Sequence, residues 1–97
     1  MLVRSLNLTK EALDFIRGLE PKPFKQVMSK ALSLLSDPTP ADSSTLKGYE
    51  NLHRVDMGEH RIVYRIVYRF DTKSVSVLIV DKRNDDEVYK KLARKKL

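Results

Sequence analysis

Apolar positions recur with two different periods along this chain, and the change between them divides it. Ala12, Leu13, Ile16 and Leu19 fall on one stripe at helical spacing. Asn7 and Thr9 offer caps ahead of that stripe, so a helix is expected over residues 9–18, preceded by a first strand at 2–6. Gly18 to Pro23 reads as a tight break, because each proline disfavours helical backbone in the residue before it. A second helix is expected over 24–35, with Phe24, Val27, Met28, Ala31, Leu32, Leu34 and Leu35 as its apolar face. Two helices joined this closely make an αα-hairpin.

From residue 52 onward the period falls to two. Strands are expected at 52–57, at 60–64 and at 75–81, and an immediate repeat, Arg61-Ile62-Val63-Tyr64 then Arg65-Ile66-Val67-Tyr68, carries the alternation of the middle one to residue 70. On such a strand Ile62, Tyr64, Ile66, Tyr68 and Phe70 share one face, and Arg61, Val63, Arg65, Val67 and Arg69 the other. The isoleucine and aromatic face is the expected core, covered by the helix pair, with the arginine face more open. Tyr64 and Tyr68 are then core aromatics with their hydroxyls at the sheet edge. Met57-Gly58-Glu59-His60 reads as a short hairpin connection in which Gly58 takes positive φ, and residues 70–73 as the next turn. Residues 37–45, with Pro38, Pro40, Asp42, Ser43 and Ser44, read as a loop. A closing helix over 85–96 has acids in its first turn and lysine and arginine in its last, which suits the helix dipole. The order is β-α-α-β-β-β-α: an α+β fold with an N-terminal strand and helical hairpin packed on a small antiparallel sheet, closed by a C-terminal helix, in a single domain over residues 1–97.

Composition narrows the function. A formal net charge of +6 favours a polyanionic partner. No apolar stretch approaches the roughly 18 residues that span a bilayer, and the opening Met1-Leu2-Val3-Arg4-Ser5-Leu6 is too short and lacks the cleavage pattern of a signal peptide. A cytoplasmic protein without a membrane partner is expected. The absence of cysteine, and two histidines without a carboxylate cluster at ligand spacing, predict neither disulfide, metal site nor cofactor.

The candidate chemistry lies in the cations. Arg54, Arg61 and Arg83 sit at matching strand ends, and Tyr89 follows six residues after the last of them. Guanidinium groups on neighbouring strands can converge on one phosphodiester, and an aromatic ring beside them can stack on a base. Any one of these arginines alone is more simply a solvated surface charge; the combination points to RNA. Lys47, Lys82, Lys90 and Arg94 are candidate contacts to an RNA backbone. His53 alternates with Arg54 and is expected to face inward, whereas His60 lies at a turn beside Arg61.

The motifs Leu46-Lys47-Gly48, Gly58-Glu59-His60-Arg61-Ile62-Val63-Tyr64, Asp81-Lys82-Arg83 and Glu87-Val88-Tyr89, with Leu34-Leu35-Ser36-Asp37-Pro38 closing the helical hairpin, resemble the RelE/ParE superfamily of bacterial toxins, most closely its RelE-type members. The resemblance spans nearly the whole chain. It implies a ribosome-dependent endonuclease that cleaves mRNA in the A site by metal-independent attack of a ribose 2′-OH. It also implies a cognate antitoxin as partner, ribosome and mRNA as targets, and operator DNA bound only through the antitoxin complex. By the same resemblance Arg61 clamps the phosphate, Arg83 assists the leaving group and Tyr89 positions or stacks the nucleotide. The second strand departs from the family pattern, which has two basic residues there: Arg54 stands at the first position and Asp56 at the second. The proton acceptor is then Asp56 itself, or an imidazole, His60 or His53, or cleavage is slow or absent. The alternative is a ParE-like toxin that poisons DNA gyrase without nuclease activity; a noncatalytic docking module on RNA or protein is a third reading.

Overall fold

The computed structural model describes residues 2–69, 72–83 and 87–95. The expected places of Phe70, of the turn at 70–71, of the acidic helix start at 85–86 and of Lys96 lie outside them, as does the side chain of Arg69.

Strand β1 (Leu2–Leu8) leads into helices α1 (Lys10–Arg17) and α2 (Pro21–Ser33). A two-residue strand β2 (Ser44–Thr45) precedes β3 (Leu52–Met57), β4 (His60–Arg69) and β5 (Thr72–Lys82), and α3 (Glu87–Arg94) closes the described chain. The fold is α+β, with a five-stranded sheet in the order β1-β5-β4-β3-β2. Strands β2 to β5 pair antiparallel, while β1 joins β5 in parallel at one edge. The helical pair between β1 and the rest of the sheet supplies the long crossover that a parallel pairing requires.

Thr9 caps α1 as expected, its hydroxyl oxygen accepting from the Ala12 N–H at 3.1 Å. The expected break at 18–23 is shorter than its prolines suggest, because α2 begins at Pro21. Both prolines fall within the first turn, where backbone N–H groups have no partner inside the helix and a missing donor costs nothing. Part of the expected loop at 37–45 also pairs: Ser44 and Thr45 add β2 to the edge of β3.

Alternation along β4 divides the core in two. On the face covered by α1 and α2, Ile62, Tyr64 and Ile66 pack with Val55, Val75, Val77, Val80, Ala12, Ile16, Val27, Ala31 and Leu34. The buried Tyr64 hydroxyl donates to the Pro38 carbonyl at 2.6 Å, tying the loop after α2 to the sheet. On the other face Val63 is buried with Leu46, Leu52, Leu78 and Ile79 beneath Val88 and Leu92 of α3. The arginine face is therefore not open along its length, as the alternation alone suggested. Its middle is a second small core, and burying Val88 and Leu92 stabilises the α3 contact by about 1.5–3 kcal/mol per side chain. Tyr68, expected in the core, is 56% exposed. It stands beyond the last core layer of Ile66 and Val75, paired across the strands with Lys73, whose ammonium lies 5.4 Å from its ring centre.

One irregularity in β5 decides what lies on which face. Val63 pairs with Ile79 and Tyr64 with Val77, so Leu78 has no partner on β4. This bulge reverses the alternation of β5: Val75 and Val77 face the helix pair, yet so does Val80, while Leu78 and Ile79 both enter the second core. The Leu78 carbonyl accepts the Thr9 hydroxyl at 2.7 Å, and the Thr9 N–H donates to the Val77 carbonyl at 3.0 Å. Thr9 thus caps α1 and holds the bulge at once. Thr9→Ala should lower the unfolding free energy by about 1–2 kcal/mol, seen as a lower urea midpoint at unchanged slope, with Thr9→Ser recovering most of the loss.

Candidate active site

Past the bulge, Asp81 pairs with Arg61, and Arg61 pairs on its other side with Asp56. Partners in register share a face, so β3, β4 and β5 present Asp56, Arg61 and Asp81 in a row on the α3 side of the sheet. The two-residue turn at Gly58-Glu59, with Gly58 at φ 61°, brings β3 back as β4. The Glu59 carbonyl at that turn accepts from the Arg83 N–H at 3.0 Å and anchors the end of β5 beside the same row.

The side chains form one network. Arg61 meets Asp56 side-on: Nε donates to Oδ1 at 2.8 Å and Nη2 to Oδ2 at 3.2 Å. Its Nη1 donates to the Tyr89 hydroxyl at 2.8 Å. Arg83 approaches the same carboxylate, Nη1 standing 3.7 Å from Asp56 Oδ2. Arg61, Arg83 and Tyr89 are thus brought together from β4, the end of β5 and α3. The two cations differ in access, with the Arg61 side chain 14% exposed and that of Arg83 45%. Arg54, half-buried two residues before Asp56, lines a cavity of about 130 Å³ with Asp42, Ser44, Val55 and Asp56. The Tyr89 ring packs partly on the second core, so α3 burial sets where its hydroxyl stands.

Asp81 is 8% exposed and faces Arg61 in register, yet it bonds elsewhere. One of its oxygens pairs with Lys91 Nζ at 2.5 Å and the other accepts from the Lys82 N–H at 2.7 Å. Asp81 is legible in the sequence only as part of the Asp81-Lys82-Arg83 motif and Lys91 only as one of the closing lysines, although the juxtaposition of Arg61 and Asp81 follows once the bulge is known. Lys95 likewise pairs with Glu11 of α1 at 3.0 Å, so two lysines of the basic C-terminal run hold α3 in place.

Other candidates stand apart from this network. His60 is 7% exposed on the opposite face, its ring edge-on to Phe15 at 5.8 Å, so the sheet separates it from Arg61. His53 also faces the helix pair, stacked on Tyr64 at 5.5 Å, and burial pulls its pKa down. The register that sets His60 on the helix-pair side pairs it with Lys82, which is exposed there. Lys47 is exposed in the loop between β2 and β3, and Lys90 and Arg94 are exposed on α3.

The Arg61 hydrogen bonds hold the Asp56 carboxyl below the usual carboxylate range, against partial burial, with the charges of Arg61, Arg83 and Arg54 acting in the same direction. The same pairing raises the Arg61 pKa. A carboxylate whose folded pKa is depressed stabilises the fold fully above its unfolded pKa, about 3.9, and loses that contribution as pH falls through the folded value. Wild-type protein should therefore lose stability below about pH 4 more steeply than Asp56→Asn, as read from urea midpoints across an acid series.

No protein-family model and no curated protein matches the chain. Solved structures do. A mutant of the Escherichia coli toxin RelE in the free state is similar at TM-score 0.77 and 24% identity, with the whole of both chains covered. The RelBE2 toxin–antitoxin complex from Mycobacterium tuberculosis is similar at TM-score 0.69 and 25% identity, over 84% of this chain and 100% of that one. A YoeB/ParE toxin from Agrobacterium tumefaciens is similar at TM-score 0.68 and 17% identity, over 82% and 99%. With its helical pair on one face of the sheet and α3 on the other, this chain has the RelE/ParE toxin fold.

Proposed function

We propose that this protein is the toxin of a toxin–antitoxin pair and acts as a RelE-type ribonuclease, cutting mRNA on the ribosome. The observation that carries the reading is the convergence of Arg61, Arg83 and Tyr89 in one network of hydrogen bonds and ion pairs about Asp56. Arg54, Arg61 and Arg83 gathered about Asp56 leave a local excess of positive charge on the α3 side of the sheet, with Arg83 the most accessible member of the paired set. Such a cluster matches a phosphodiester better than a neutral ligand.

In the proposed reaction the ribose 2′-oxygen attacks the adjacent phosphorus, and the P–O5′ bond breaks. The 2′-OH proton passes to solvent water and the departing 5′-oxygen takes one from water, giving a 2′,3′-cyclic phosphate and a 5′-hydroxyl. Charge builds on the non-bridging oxygens as the phosphorane forms. Fixed donors aimed there stabilise that state without reorganising. Arg61, with three of its five N–H groups committed, is the rigid donor; Arg83 reaches the leaving side; Tyr89 bears on the nucleotide. A cognate antitoxin would neutralise this surface, and operator DNA would be met only through that complex. Solved relatives with this fold include toxin–antitoxin complexes.

Primer extension on an mRNA under translation tests the reading. Codon-positioned cuts are expected, reduced by about 10²–10³-fold in Arg83→Ala, the loss typical of one transition-state donor. Tyr89→Ala should lower the cleavage rate more than it lowers affinity for the ribosome, because the ring places the substrate; equal losses would remove it from that role. Intact mRNA with stalled DNA replication would instead favour gyrase poisoning.

A further inference from the structure

Asp56 occupies the strand position where the family pattern noted above has a second basic residue, and its surroundings give it a task other than proton transfer. Both of its oxygens are engaged, Oδ1 with Arg61 Nε and Oδ2 with Arg61 Nη2, with Arg83 Nη1 at 3.7 Å from Oδ2. A carboxylate committed in this way, and held below its usual pKa by Arg61, has little tendency to take a proton. The two arginines are not equivalent towards it. The Arg61 pairing is short, side-on and shielded, whereas the Arg83 contact is long and lies at the more exposed end. Asp81, the other carboxylate beside Arg61, is spent on Lys91 and the Lys82 N–H, so Asp56 is the carboxylate that orients Arg61 among the described residues.

We propose that Asp56 is a positioning residue that acts as a resident substitute for phosphate: it clamps Arg61 in its working orientation and holds Arg83 loosely until a backbone phosphate draws Arg83 away. The inference rests on the ribonuclease reading for its catalytic half only. Among the described residues Arg61 keeps two N–H groups uncommitted, enough to reach the entering phosphate without leaving Asp56. Arg83 exchanges one anion for another. Asp56 therefore opposes ground-state binding of RNA while organising the donors that act on the reacting phosphate, so it weakens affinity and supports turnover.

The two halves are read separately. Binding is measured with a short 2′-O-methyl oligoribonucleotide, which 2′-OH attack cannot cleave, across a salt series. Asp56→Asn should bind roughly threefold to tenfold tighter at low salt, since a nearby negative charge is gone. Its plot of log affinity against log salt should steepen by about 0.7, the value for one added phosphate contact on a single strand. Single-turnover cleavage on translating ribosomes should fall in the same variant, and Asp56→Glu, which keeps the charge, should restore the wild-type salt slope and part of the cleavage. An unchanged salt slope in Asp56→Asn overturns the proposal, as does undiminished cleavage. If Asp56→Asn fails to fold, the wild-type protein still decides: on titration with the same oligonucleotide, NMR should show the Arg83 guanidinium signals shifting while Arg61 Nε–H keeps its position and slow exchange. Movement of both, or of Arg61 alone, overturns the proposal. Wild-type protein that leaves translated mRNA intact defeats the ribonuclease reading, while the binding arm still tests whether Asp56 competes with phosphate.

Discussion

Leu78 has no partner on β4, and Thr9 holds its carbonyl. That bulge reaches into every part of the site. A strand's side chains alternate strictly, so an extra residue moves everything beyond it to the opposite face. Val75 and Val77 bury themselves under the helix pair, and strict alternation would send Asp81 and Arg83 after them. With Leu78 inserted, Asp81 comes into line with Arg61, and Arg83 follows on the side where Asp56 and Tyr89 stand. The same insertion delivers Leu78 and Ile79 together to the small core under α3. The bulge that builds the seat for α3 also turns Arg83 towards the helix.

Charge imposes the second constraint. Guanidinium groups crowded on one face of the sheet repel one another, and none can be neutralised by losing a proton at physiological pH. The sheet answers with carboxylates placed by register. Asp56 takes the side-on pairing with Arg61, and Asp81 takes Lys91. Because Lys91 and Lys95 anchor α3 through Asp81 and Glu11, the helix that carries Tyr89 rests on two buried aliphatic side chains, one shielded ion pair and one more exposed. The cluster is graded as a result, with one arginine shielded and fully oriented and another exposed and loosely held.

Much of the architecture is legible in the residues. The helical stripe of Ala12 and Ile16, the cap at Thr9, the turn at Gly58 and the strand pattern through Ile62 and Tyr64 are local signals, each with a local physical cause. The errors arise where distant packing overrides a local cue. Pro21 and Pro23 look like breakers but serve as a helix start. Tyr68 has the periodicity of a core residue but lies past the end of the helices' cover. His60 follows a turn next to Arg61, yet strand alternation sends it to the other face against Phe15. The basic run late in the chain suggests contacts to an RNA backbone, while its Lys91 and Lys95 turn inward to acids far away in sequence.

By itself the sequence determined the order of elements apart from β2, the α+β class and the division of β4 into two faces, and it singled out Arg54, Arg61, Arg83 and Tyr89 as candidates. These follow from periodicity, capping and charge, which act over a few residues. Only the tertiary structure decided that Asp56 is Arg61's partner, that Asp81 belongs to Lys91, that α3 closes the middle of the arginine face, and that His60 is screened from the cluster. Those outcomes depend on strand register and on one unpaired residue in β5, and register is settled by packing across the whole sheet.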